Sequence, residues 1–311
     1  MLIRKGLFGV VLAFSGLALY QKVSDSLVSS SAVDMHGKRA LVFGGTKGIG
    51  LGFAKHMAQR GAAVTIVGRS MENGRKVVDE LNALSTGNDF IQADVSLISS
   101  ARNVVRDYLK NEESLDYLIL SQGIATFEGR QETSEGIDLK LALHYYSRVA
   151  ISLEAGEALS KTGGVALFVL SGGVHSAYTE GLRDGDWGLK NSYSLGNAAN
   201  AAGFYTDLAI EQLSEKFPKV RFVHAAPGFV ASNWGEDLVL PIRWLIRGLQ
   251  AVAGTSIEKC ADKLSPVVFE AKEPGWFLSS QNGQLVDPLP EQKDEQIRKL
   301  VWDHTLKEIH Q

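Results

Sequence analysis

Cysteine is nearly absent. Cys260 is the one cysteine in 311 residues, so no intramolecular disulfide can form and a zinc-finger type of metal site is excluded. A single thiol fits a reducing compartment. Charge of one sign is lacking as well: the formal net charge of −3 offers no case for a nucleic-acid partner. An apolar run long enough for a full bilayer span is also missing near the start. The uncharged stretch from Gly6 to Tyr20 holds 15 residues, about 23 Å as a helix, where a bilayer core needs roughly 20 residues. There are no internal repeats, and low complexity is confined to Ser29–Ser31.

What is present is ordinary globular composition, 45% hydrophobic and 22% charged, enough for one large core. The expected organisation is an apolar targeting or anchor segment at 1–33, one domain at 34–289 and a charged surface helix in a C-terminal tail at 290–311. Arg4 and Lys5 precede the apolar run, and Lys22 and a serine-rich stretch follow it. Three readings of this segment stand side by side: a short membrane anchor touching lipid through residues 1–20, a secretory signal, and a mitochondrial presequence. The first and third place the protein inside the cell, at the endoplasmic reticulum or the mitochondrion.

Organisation centres on Arg39–Gly61. Ala40–Phe43 reads as a buried strand, Gly44–Gly50 as a glycine-rich turn, and Leu51–Ala58 as the helix that follows. A helix N-terminus behind such a turn attracts anions, because its backbone N–H groups and its dipole both face outward. Further apolar runs at 62–67, 89–93, 115–120, 165–170 and 220–224 alternate with helical stretches. The pattern predicts an α/β fold, a doubly wound Rossmann-type parallel sheet with helices on both faces. Right-handed crossovers then bring the strand ends, and the motifs beside them, to one edge. The uneven apolar-basic stretch Trp234–Ala253 reads as a lid over a substrate, a membrane-touching face or a core-packed helix.

The spacing Gly44-x-x-x-Gly48-x-Gly50 resembles the turn of the short-chain dehydrogenase/reductase family, with Phe43 where the family has threonine. The resemblance extends from about Lys38 to Val230. It implies a cofactor site built from Gly44, Thr46, Lys47, Gly48, Ile49 and Gly50, with Arg69, Asp94, Val95, Gly123, Pro227 and Gly228 around it. Asp94 matches the acid that looks toward the adenine amino group, and Pro227-Gly228 the turn beside the nicotinamide. In NAD sites an acidic side chain at the end of the second strand bonds the ribose hydroxyl. Gly68 and Arg69 stand here instead, with Lys47 in the turn. Two cations and no carboxylate favour NADP, with NAD less favoured, since arginine can grip a 2′-phosphate.

Tyr193, opening a long helix, matches the family's active tyrosine. The lysine expected one turn later is Asn197. Ser171 lies one residue from the expected serine position, which Gly172 fills, and Ser176 is a more distant substitute. His144 replaces a helix asparagine, and the Asn-Asn-Ala-Gly segment reads Leu120-Ser121-Gln122-Gly123. The expected catalytic set is therefore Tyr193, Ser171, Asn197 and His144, with His144 or Lys190 standing in for the missing cation. The expected activity is hydride transfer between NADPH and a hydrophobic carbonyl or alcohol of small size. The alternative is an NADP-binding sensor or scaffold with little chemistry; a methyltransferase is a third reading. The resemblance also implies homodimers or tetramers, through helices at 138–159 and 194–217.

Overall fold

A computed structural model describes residues 33–179, 184–232 and 240–310. The apolar runs form strands β1 (Arg39–Phe43), β2 (Ala63–Gly68), β3 (Asp89–Gln92), β4 (Tyr117–Leu120), β5 (Val165–Val169) and β6 (Arg221–Ala225). Between them lie helices α1 (Gly48–Ala58), α2 (Met71–Asn82), α3 (Ile98–Asn111), α4 and α5 (Leu195–Lys216). Helix α4 begins at Leu139–Leu141, passes through a π-helical turn at Ala142–Tyr146 and continues as Ser147–Thr162. Short polar side chains cap α2, α4 and α5 at their N-termini, whereas Lys47 and Leu97 precede α1 and α3 without a side-chain cap. Ser70 Oγ accepts Asn73 N–H, Asp138 Oδ1 accepts the N–H groups of Lys140 and Leu141, and Ser194 Oγ accepts Asn197 N–H.

The sheet runs β3-β2-β1-β4-β5-β6-β7-β8. Each neighbouring pair from β3 to β7 is parallel, and β8 (Leu285–Val286) pairs antiparallel with β7 (Gly275–Ser279). This is the doubly wound α/β fold. Both faces are covered, so strand side chains alternate between two cores. Ala40 and Val42 face one with Phe53 and Met57 of α1; Leu41 and Phe43 face the other with Val104 of α3 and Ile151 of α4. The chain order reverses between β1 and β4, which opens the crevice where sheets of this kind bind ligands.

Several elements differ from the sequence expectation. The C-terminal helix α8 (Glu295–Ile309, following α6 and α7 below) is charged on one side only. Val301, Thr305 and Ile309 are buried, Tyr145 and Thr305 share a hydrogen bond, and Trp187 stacks on His304 with ring centres 4.9 Å apart. It covers part of the α4–α5 surface, so a purely surface helix is corrected to one built into the third core cluster. Strand β7 and helix α7 (Ile257–Ser265) carry no clear periodic signal in the sequence, although Gly275 and Ser256 punctuate their starts.

The N-terminal expectations fall on residues 1–32, outside the described residues. No helix among the described residues is long and apolar enough to cross a membrane. Of the stretch 234–253, the described part forms α6 (Leu240–Ala253), where Leu240 and Trp244 are exposed and Arg247 donates to Ser232 O at 2.6 Å.

Candidate active site

The loop after β1 is shaped by backbone crowding. Gly44 has φ +75°, and a Cβ there would come within 2.8 Å of Gln122 N in the loop after β4. At Gly50 a Cβ would overlap the Gly44 carbonyl. Gly48 differs. Its φ is +61°, and a Cβ there would meet nothing nearer than Ser232 Cβ at 3.6 Å. So Gly44 and Gly50 let the turn close, while at Gly48, at the start of α1, a Cβ would make only ordinary contact, with Ser232, among the described residues. Thr46 packs over Gly68, where any Cβ would sit 2.7 Å from Thr46 Cγ2. Gly68 therefore admits the turn residue in the place where NAD sites carry an acid. Ile49 is half-buried against the core.

Charges at this end are exposed. Lys47 and Arg69 both face solvent, and Gln92 Nε2 donates to Arg69 O at 2.9 Å, fixing the backbone there. Asp94 Oδ1 accepts from Ser96 N and Oγ, which starts the turn into α3, and Val95 is buried behind it. On the other wall, Gly228 (φ +72°) closes against Gln281 after Pro227. The turn at the N-terminus of α1 and the exposed cations fit a dinucleotide phosphate group.

Tyr193 is delivered by a tightly bonded loop. The Asp186 carboxylate accepts the N–H groups of Lys190, Asn191 and Ser192 and the Ser192 hydroxyl. Burial opposes its ionisation, but these hydrogen bonds prevail and hold the carboxyl below its ordinary range. Leu189, buried, takes φ +56° inside this loop, a conformation costing a non-glycine residue about 1–2 kcal/mol. Tyr193 is half-buried, and its hydroxyl is 2.8 Å from the ammonium of Lys140. Lys140 Nζ also donates to Glu128 O at 2.9 Å.

The short chain dehydrogenase family pattern matches residues 38–183. An oxidoreductase of Emericella nidulans, AN1596, is 28% identical over 305 residues, covering 86% of this chain and 91% of its own. The chain belongs to the short-chain dehydrogenase/reductase family. A mouse polyprenol dehydrogenase is 24% identical, with 87% of this chain and 83% of that protein covered. The alcohol dehydrogenase of Thermococcus sibiricus, solved with 5-hydroxy-NADP, superimposes with a TM-score of 0.58 at 18% identity. That match covers 81% of this chain and 99% of the archaeal one.

As a short-chain dehydrogenase/reductase the chain is unusual around Tyr193. Asn197 Nδ2 donates to Ser192 O at 2.7 Å, so the residue at the family's lysine position bonds its own loop. The Ser171 hydroxyl lies against helix α5, 2.5 Å from where a Gly203 Cβ would be, and 3.5 Å from His175 Nδ1. His144 Nε2 accepts Ile124 N–H at 3.1 Å, which requires Gly123 to lack a Cβ. Burial, Arg148 and Lys140 push His144 down to about 3, so it is neutral and carries no replacement charge. Lys190 is held through its backbone by Asp186.

Two residues behind the site were not singled out from the sequence. Arg148, fully buried, donates to the carbonyls of Leu143, Val169 and Gln122, tying together the ends of β4 and β5. Burial lowers it to about 9. Asp207, also buried, accepts from His224 Nδ1 and Gln292 Nε2. That leaves His224 Nε2 to accept Ser171 N–H at 3.1 Å. Neither carries a motif signal, because apart from Leu143 the partners lie 17 or more positions away in the chain.

Proposed function

We propose that this protein is an NADP-dependent oxidoreductase that reduces a hydrophobic carbonyl compound, with Tyr193 as the proton donor. The observation that carries the reading is the glycine turn at the N-terminus of α1 with exposed Arg69 and Lys47 and with glycine, not an acid, at position 68. The turn and the N-terminus of α1 would hold the pyrophosphate, and Arg69 the 2′-phosphate. The NADP derivative bound by the archaeal neighbour agrees with this preference.

When bound, NADPH supplies a hydride, with its electron pair, to the carbonyl carbon. Tyr193 gives its hydroxyl proton to the carbonyl oxygen as that bond reduces to an alcohol, and takes a proton back from water. General acid catalysis of this kind contributes about 10²–10⁴-fold. Phe127, Val174 and Phe229, all exposed, belong to the segments following β4, β5 and β6 at this edge. Their apolar surface favours a hydrophobic substrate, as does the polyprenol substrate class named for the mouse relative. The test is NADPH oxidation by the full chain against aldehydes and ketones of increasing chain length. Tyr193→Phe should lower kcat at least about 100-fold.

A second reading, a dinucleotide-binding protein without chemistry, is favoured by the Ser171 hydroxyl lying against Gly203 and His175. Tight NADPH binding without turnover on any carbonyl would select it.

A further inference from the structure

A cation that position 197 does not supply reaches Tyr193 from another element. Lys140 sits in the first turn of α4, 53 positions before the tyrosine. Its residue is 8% exposed, and its ammonium contacts the Tyr193 hydroxyl at 2.8 Å and Glu128 O at 2.9 Å. Both acceptors are neutral groups, so neither hydrogen bond cancels the charge.

The surrounding charges leave this pair intact. Glu132 is paired with Arg130, Glu128 accepts from Gln131, and Asp186 is occupied by its loop. Asp138 caps α4 through Oδ1, while its buried Oδ2 has no hydrogen-bond partner. His144, one turn after Lys140, is neutral, and Arg148 is bonded to carbonyls.

We propose that Lys140 is the positioning residue for Tyr193, supplying from α4 the ammonium that position 197 does not supply. This rests on the reading of Tyr193 as the proton donor. When that proton leaves, the phenolate formed is adjacent to an ammonium already hydrogen-bonded to its oxygen. The hydrogen bond is charge-assisted through the ammonium from the start, and it becomes an ion pair once the phenol oxygen is charged, so the contact strengthens as the proton moves. The same contact holds the hydroxyl in one direction, away from rotation about its C–O bond.

The test needs no cofactor. Tetranitromethane nitrates tyrosinate, and the modified peptide can be quantified by mass spectrometry at neutral pH. In the full chain Tyr193 should react at least about fivefold faster than in Lys140→Met, with Lys140→Arg close to the parent. Lys140→Gln, which keeps a donor for Glu128 O but no charge, covers the case in which Lys140→Met fails to fold. Circular dichroism establishes folding of each variant. Equal nitration in the parent and in a folded neutral variant would overturn the proposal, as would full loss in Lys140→Arg. A kinetic arm adds the double variant. Lys140→Met should lower kcat more than tenfold with little change in NADPH affinity, and should have no further effect in Tyr193→Phe. Absence of NADPH binding to the parent would instead defeat the oxidoreductase reading and leave the nitration result standing.

Discussion

The side-chain amide of Asn197 donates to the carbonyl of Ser192 across 2.7 Å, so it secures the residue immediately before Tyr193. Position 197 acts on the loop, and the charge near the tyrosine comes from Lys140. Asn197→Lys should therefore fail to raise turnover. Losing a hydrogen bond of roughly 1 kcal/mol should loosen the loop and lower kcat a few-fold in both Asn197→Lys and Asn197→Ala. Steady-state kinetics with NADPH check this; a gain in Asn197→Lys would mean that the side chain reaches the reacting groups after all.

The glycines of the turn should separate by role. In Gly48→Ala the methyl group makes ordinary contact with Ser232 without overlap, and φ +61° adds strain, about 1–2 kcal/mol. The protein should fold, with NADPH affinity reduced about tenfold or more. In Gly50→Ala the methyl group overlaps the Gly44 carbonyl, so the melting temperature itself should drop. Paired thermal unfolding and binding curves distinguish the two; equal effects in both variants would count against this separation of roles.

Asp207 joins three parts of the chain: His224 at the end of β6, Gln292 ahead of α8, and, through His224, the backbone of Ser171. Burial keeps His224 neutral, so removing the carboxylate leaves two buried donors, His224 Nδ1–H and the Gln292 amide, without an acceptor, at about 1–3 kcal/mol each. Asp207→Ala should lower the melting temperature by roughly 6–10 °C. Gln292→Leu should give a smaller loss. A neutral outcome for Asp207→Ala would mean that the cluster is not a structural hub.

Acid should weaken the fold earlier than carboxylate protonation alone would. Burial, chiefly, pushes His56 and His304 down to about 4 and His144 to about 3. An unfolded histidine titrates near 6.5. Between those values the unfolded chain binds protons that the folded chain refuses, so stability is full above about pH 6.5 and falls as pH drops toward 4. Melting temperatures from pH 7.5 down to 4.5 should decline steadily; a flat profile would contradict the neutral, buried state of these rings.

Much of the fold was legible because its signals are local. The apolar runs of β1, β2, β5 and β6 lie within one or two residues of their observed bounds, as periodicity and turn residues permit. The glycine turn was legible for the same reason: its chemistry is carried by neighbours in sequence. Around Tyr193 the opposite holds. Lys140 meets it across 53 positions, and no spacing rule links them. The inward side of α8 was hidden by charge, since Val301, Thr305 and Ile309 are few among lysines and glutamates. His144 reads from its position as a replacement cation, and its burial and the charges of Arg148 and Lys140 make it neutral.

Coenzyme titration of the full chain tests the central claim most directly, by nicotinamide fluorescence with NADPH and NADH in parallel. Tighter binding of NADPH is predicted, with the difference removed by Arg69→Ala, whose lost charge-assisted contacts are worth about 1.5–3 kcal/mol, or roughly 10–100-fold. Binding of neither coenzyme, or a preference for NADH, would contradict the account.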